Sequence, residues 1–298
     1  MKNDTNSYFS FHKYFDYSER NIDLLKSKFP SNDFIDVKYD QNFATPIKKV
    51  IVLFSTERSG STFFCETLHQ SKICLMHEYL QPYNYMPVIA QRWEAIDNGK
   101  VNIPKFWQQL KKYRVSKDGV LGINLHGSHI YLFEQMLAHL GEVDIEYFYI
   151  KRKNTLSQAI SYEIASQNQA WSSEFKNNTP TLSYNFESIL QKIRRLEHDN
   201  LKVRIFIEKN KLDVNEFYLE NFIENKNKFI LDNFAVDIVE MPASLKKQAS
   251  NINENWRSRF IADFNMRSDA HGTHKNTEGT LSSLLRSARK IKKIIMNT

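Results

Sequence analysis

An arginine, a glycine and three hydroxyl residues stand in a row at Arg58, Ser59, Gly60, Ser61 and Thr62, shortly after the apolar run Val50 to Phe54. A chain that leaves a parallel strand there must turn into a helix. The first backbone N–H groups of that helix lack intrahelical acceptors and carry the positive end of the helix dipole. Such a turn binds phosphate-like anions. Gly60 allows close backbone approach, Ser59, Ser61 and Thr62 add hydroxyls, and Arg58 offers a forked cationic contact. The plainer alternative is that Ser59 to Thr62 merely cap the helix, and the spacing alone leaves both readings open. A Walker A loop does not fit, because it needs two glycines and a Lys before the Ser/Thr, and a dinucleotide fingerprint needs three spaced glycines. The basic run Lys151, Arg152, Lys153 would by itself be a solvated charge cluster.

These residues need elements to hold them. Strand-like runs are predicted at 49–55, 73–76, 119–126, 144–151 and 214–219, and helical spacing at 60–71, 86–97, 103–115, 129–140 and 156–170. In the last of these, Leu156, Ile160 and Ile164 fall at i, i+4 and i+8. The alternation argues for an α/β fold, a central parallel sheet with helices on both faces. Segment 203–212 is ambiguous: the alternation of Val203, Ile205 and Ile207 says strand, its place before another strand says helix. Three regions fall outside the core: an aromatic and polar N-terminal extension at 1–47, a loop-like stretch at 172–184, and a linker at 263–280.

Bulk properties set the frame. A chain of 298 residues with 41% hydrophobic content can bury one sizeable core. The net charge of +7, from 41 Lys and Arg against 34 Asp and Glu, suits an anionic ligand, membrane face or nucleic acid. Cys65 and Cys74 are the only cysteines, too few for a disulfide framework, and the N-terminus lacks an apolar signal-like run. A cytoplasmic location is expected from these two features.

The loop 56–62, "TERSGST", resembles the 5′-phosphosulfate loop of sulfotransferases that use 3′-phosphoadenosine-5′-phosphosulfate (PAPS), and is most similar to the trehalose 2-sulfotransferase branch. Further stretches resemble that family in its own order: "MHEYLQP" from Met76, "GVLGINLHG" from Gly119, "YIKRKNTLSQAISYEIASQNQAW" from Tyr149, then "NEFYLENF" and "KKQASNINENWRSRF". Together they span roughly 48–260. The resemblance implies a P-loop-like three-layer fold, with a sulfotransferase domain at 48–262 and a linker and basic helix at 263–298.

It also implies roles. Arg58 would hold the phosphosulfate and stabilise charge on the leaving nucleotide, while Ser59, Gly60, Ser61 and Thr62 cradle the 5′-phosphate. Lys153 and Ser161 fall where the family binds the 3′-phosphate, and the adjacent Arg152 competes with Lys153 for that contact. Glu57 is expected to face solvent, since its charge would repel the donor. Glu78 matches the family's glutamate and is the first candidate for the base that takes the acceptor's proton. His77 is the second, with a better matched unperturbed pKa. If the two alternate along a strand, only one reaches the acceptor.

Tyr79, Tyr83 and Tyr85 are candidates to stack on a sugar ring, and His126 and His129 could line the acceptor site, although packing is the commoner role. No metal is expected. The tail 281–298 places Leu281, Leu284, Leu285, Ala288, Ile291 and Ile295 on one helical stripe beside five basic residues, a pattern shared by helices on anionic membranes and by helices packed on their own domain.

The reading is a cytoplasmic PAPS-dependent sulfotransferase acting on a hydroxyl of a carbohydrate or glycolipid, without nucleic acid, and with a homodimer and a peripheral contact to the inner membrane face left open. Its rivals are a P-loop phosphoryl-transfer enzyme and a noncatalytic basic module. The missing Walker Lys and the absence of a nucleic-acid motif speak against them.

Overall fold

The computed structural model describes residues 8–10, 19–27, 29, 33–171, 181–236 and 251–272. In chain order these form β1 (Tyr8–Ser10), α1 (Glu19–Lys26), β2 (Lys49–Ser55), α2 (Ser61–Gln70), β3 (Met76–His77), α3 (Tyr85–Arg92), β4 (Ile96–Asp97), β5 (Lys100–Asn102), α4 (Ile103–Arg114), β6 (Val120–His126), α5 (Ile130–Leu137), β7 (Asp144–Lys151), α6 (Thr155–Asn168), α7 (Phe186–Asn210), β8 (Val214–Tyr218), α8 (Leu219–Glu224), α9 (Lys226–Phe234) and α10 (Asn251–Gly272). Two compact units result. The first takes in the chain to Thr56, Gly60–Lys151 and the stretch from Asp199; the second takes in Glu57–Ser59, Arg152–His198 and α10.

In the first unit a five-stranded sheet runs β3-β6-β2-β7-β8, with every neighbouring pair parallel. Its central strand β2 is apolar at successive positions because both faces are covered, as parallel sheets require. Alternation sends Val50, Val52 and Phe54 into one core with Phe106, Leu110, Phe133 and Phe206. It sends Ile51 and Leu53 into another with Phe64, Leu68, Phe148 and Phe222. The result is the expected three-layer α/β arrangement. Cys65 and Cys74 are unpaired and buried, and burial pushes the Cys74 thiol up to about 12.

Several described residues before β2 pack into the first unit. Ile22, Leu25 and Ile35 enter the core beside β2, and β1 pairs with β5 in a small antiparallel sheet. Asp40 bonds Arg92 and the fully buried Arg114.

The second unit is helical. Leu156, Ala159 and Ile160 of α6, Phe186, Ile189, Ile193 and Leu196 of α7, and Trp256, Phe260 and Phe264 of α10 share one cluster. The expected linker is therefore helix from 263 to 272. Trp256, Phe260 and Phe264 fall at i, i+4 and i+8, and Tyr184 donates to Asp263 at 2.8 Å. Segment 203–212 resolves as the end of α7, not a strand: Val203 and Phe206 are buried three apart while Ile205 faces solvent. The predicted helix 86–97 stops at Arg92, and a short hairpin, β4 and β5, follows. The tail 281–298 lies outside the described residues.

Candidate active site

The loop after β2 is held by backbone geometry that few residues adopt. Arg58 and Gly60 both lie in the left-handed region, at φ 61° and 93°. Gly60 serves as the N-cap of α2. A Cβ at Gly60 would come within 2.5 Å of the Leu219 side chain, so the position suits glycine on both counts. Ser61 is buried in the first turn of α2 and Thr62 is exposed. The hydroxyl of Ser59 is buried with no hydrogen-bond partner, an arrangement that costs free energy unless a ligand satisfies it.

Within the second unit the loop meets the start of α6. Asn154 caps that helix by accepting from the Ser157 N–H at 2.8 Å. Arg58 Nε donates to Ser161 Oγ at 3.1 Å, and Arg58 Nη1 donates to the Trp171 carbonyl. Burial, and then the like charge of Arg152, bring the Arg58 guanidinium down to about 10. Two cations crowded beside an unsatisfied hydroxyl and a helix N-terminus fit a multiply charged anion. Arg152 is the cation that acts on Arg58, whereas Lys153 stands exposed.

Glu57 is turned away from water, contrary to expectation. Its carboxylate accepts from Tyr162 at 3.1 Å and from Arg195 at 3.0 Å, and its carbonyl accepts from Gln158 at 2.7 Å. Arg195 neutralises the charge that would oppose an anion in the loop. Sequence reasoning missed this support, because Arg195 lies 138 residues away on a helix with no motif.

Within the first unit, Glu78 follows β3, and its Oε1 lies 3.5 Å from His126 Nε2 at the end of β6. His126 is the register partner of Ser55, the last residue of β2, so Glu78 and the loop's entry strand meet at the carboxyl edge of one sheet. In open α/β sheets that edge is where ligands bind. His129 stacks beside His126 with ring centroids 5.3 Å apart. His77 points elsewhere: its Nδ1 accepts from the Glu78 N–H at 2.7 Å and its Nε2 lies 3.2 Å from Asp33. Its ring packs on Tyr85 at 4.3 Å. Tyr79 is fully buried, donating to the Leu75 carbonyl, which removes it as a sugar platform. Tyr85 packs on His77 and Phe29, leaving Tyr83 as the exposed member of the three.

Arg58, Ser161 and Arg152 are thus brought together in one unit, and Glu78 with His126 in the other. No curated protein matches the chain. A family model described as Stf0 sulphotransferase matches residues 50–263. With more than half of its residues under that match, the chain belongs to the Stf0 sulphotransferase family and is a sulfotransferase.

Proposed function

We propose that the chain moves a sulfuryl group from PAPS to a hydroxyl of a carbohydrate or glycolipid. The observation that supports the donor is the convergence of Arg58 with Ser161 and Arg152: the family resemblance assigns Arg58 to the phosphosulfate and Lys153 and Ser161 to the 3′-phosphate, with Arg152 as the competitor of Lys153. Bound PAPS supplies an activated sulfuryl group on a good leaving phosphate. Arg58, Ser59, Gly60, Ser61 and Thr62 hold the phosphosulfate end, and Arg152, Lys153 and Ser161 hold the 3′-phosphate. Glu78 accepts the acceptor's proton as the acceptor oxygen bonds to sulfur and the S–O bond to phosphate breaks. Arg58 stabilises the negative charge that develops on the leaving oxygen. His77, with both ring nitrogens engaged, positions the backbone of Glu78 rather than acting as base.

A glycolipid acceptor follows if the basic stripe of 281–298 lies on an anionic membrane. Among the described residues no helix is long and apolar enough to cross one.

Calorimetric binding of 3′-phosphoadenosine-5′-phosphate (PAP), without metal, tests the donor. Wild type is expected to bind, and Arg58→Ala and Arg152→Ala are each expected to weaken binding about 10- to 100-fold, the loss of a charge-assisted contact. Folded wild type that does not bind PAP would remove the PAPS reading.

A further inference from the structure

On the reading of the loop after β2 as the phosphosulfate site, we infer that Arg195 is a positioning residue for the donor, one that sets donor affinity through the charge of Glu57 and not by touching a phosphate. Glu57 directly precedes Arg58, and one face of α6 holds the pair. Gln158, Ser161 and Tyr162 fall at i, i+3 and i+4, neighbours on a helix surface. In that order they hold the Glu57 carbonyl at 2.7 Å, Arg58 Nε at 3.1 Å and the Glu57 carboxylate at 3.1 Å. Fixed at backbone and side chain alike, the Glu57 carboxylate cannot swing away from the loop without giving up its contacts with α6.

A carboxylate fixed there opposes an anion unless an opposite charge stands beside it. The Glu57 side chain is 13% exposed, so water screens it weakly. Arg195 of α7 brings the opposite charge to 3.0 Å from Glu57 Oε1. Its guanidinium carbon also lies 5.6 Å from the centre of the Tyr162 ring, so the side chain is set against the same tyrosine whose hydroxyl bonds Glu57.

The two partners differ in exposure, and that difference sets what losing Arg195 does. The Arg195 side chain is 52% exposed, and ion pairs with an exposed partner contribute little to folding. Its removal leaves the fold in place but takes a positive charge from a shielded carboxylate one residue from Arg58, and an anion in the loop meets the changed field. Arg195 is therefore needed only while residue 57 is charged, unlike Arg58 and Arg152, whose own charges face the donor. Glutamine at position 57 keeps an acceptor for the Tyr162 hydroxyl and makes Arg195 dispensable.

PAP is the probe, titrated into the full chain in a calorimeter for wild type, Arg195→Gln, Glu57→Gln and the double variant. Arg195→Gln is expected to bind PAP about 5- to 10-fold more weakly, with its urea midpoint unchanged. Glu57→Gln is expected to bind at least as tightly as wild type. The double variant is expected to return to within about twofold of Glu57→Gln, the coupling that a double-mutant cycle isolates. Arg195→Lys keeps the charge and is expected to stay within about threefold of wild type; it carries the charge test if far-UV circular dichroism shows that Glu57→Gln does not fold. Equal PAP affinity in wild type and Arg195→Gln would overturn the role of Arg195, as would an Arg195→Lys variant as weak as Arg195→Gln. An undiminished loss in the double variant, the result of direct contact between Arg195 and the nucleotide, overturns it too while leaving the PAPS reading intact. Folded wild type that does not bind PAP overturns both.

Discussion

Glu78 and His77 are chain neighbours whose surroundings assign them different work. His77 is enclosed by Asp33, Tyr79 and Tyr85, with both nitrogens engaged, while Glu78 projects to the carboxyl edge of the sheet beside His126. Glu78→Gln keeps the shape and removes the proton acceptor. Turnover is expected to fall about 10²- to 10⁴-fold, with PAP affinity unchanged in calorimetry. Unchanged turnover in Glu78→Gln would exclude it as the base. His77→Asn, in contrast, removes the imidazole from Asp33 Oδ1, which still accepts from the Ile35 N–H, and is expected to cost roughly 0.5–1.5 kcal/mol in urea unfolding.

Gly60 ties the loop to the element that follows it. Its φ of 93° and the 2.5 Å that would separate an added Cβ from Leu219 mean that Gly60→Ala strains the backbone and displaces a side chain. The expected stability loss is roughly 1–2 kcal/mol, and PAP affinity is expected to fall at least about tenfold because the first turn of α2 shifts. Retention of wild-type PAP affinity in Gly60→Ala would show that the loop does not contact the donor. The strand, turn and helix around Gly60 were legible because each is coded locally: an apolar run, a turn residue, a 3.6-residue repeat. Strands β2, β6 and β7 were legible for the same reason. Helix α7 was not, because Val203, Ile205 and Ile207 imitate a strand over five residues and only the spacing of Leu196, Val203 and Phe206 reveals the helix. Helix α10 hid behind a polar, glycine-containing stretch that its Trp256, Phe260 and Phe264 face overrides. At the site, Arg58 and Ser161 could be named from motif positions, but Arg195 on Glu57 and His126 on Glu78 are products of tertiary packing and have no signature along the chain.

Residues before β2 read as an extension, but among the described ones Phe34, Tyr39 and Asp40 anchor a buried arginine of the first unit. Arg114 is wholly buried, and its guanidinium donates to the carbonyls of Phe34 and Tyr39 and to Asp40, besides the carbonyl of Tyr113. Asp40 also bonds Arg92 through both oxygens. One carboxylate thus bonds two guanidinia, and its loss leaves the buried Arg114 without a counter-charge. Asp40→Ala is therefore expected to lower the free energy of unfolding by about 3–5 kcal/mol, read as a shift in the urea midpoint. That is a large part of the whole stability of a domain, commonly about 5–15 kcal/mol. PAP provides the control for location. At about 100 times its dissociation constant a ligand that binds only the folded state adds about 2.7 kcal/mol. Asp40→Ala is expected to gain that increment in full, because the side-chain partners of Asp40 are Arg92 and Arg114 of the first unit, whereas Arg58→Ala is expected to gain far less. A loss below about 1 kcal/mol in Asp40→Ala would mean that Arg114 finds other partners and that residues 33–40 are, energetically, the appendage their composition first indicated.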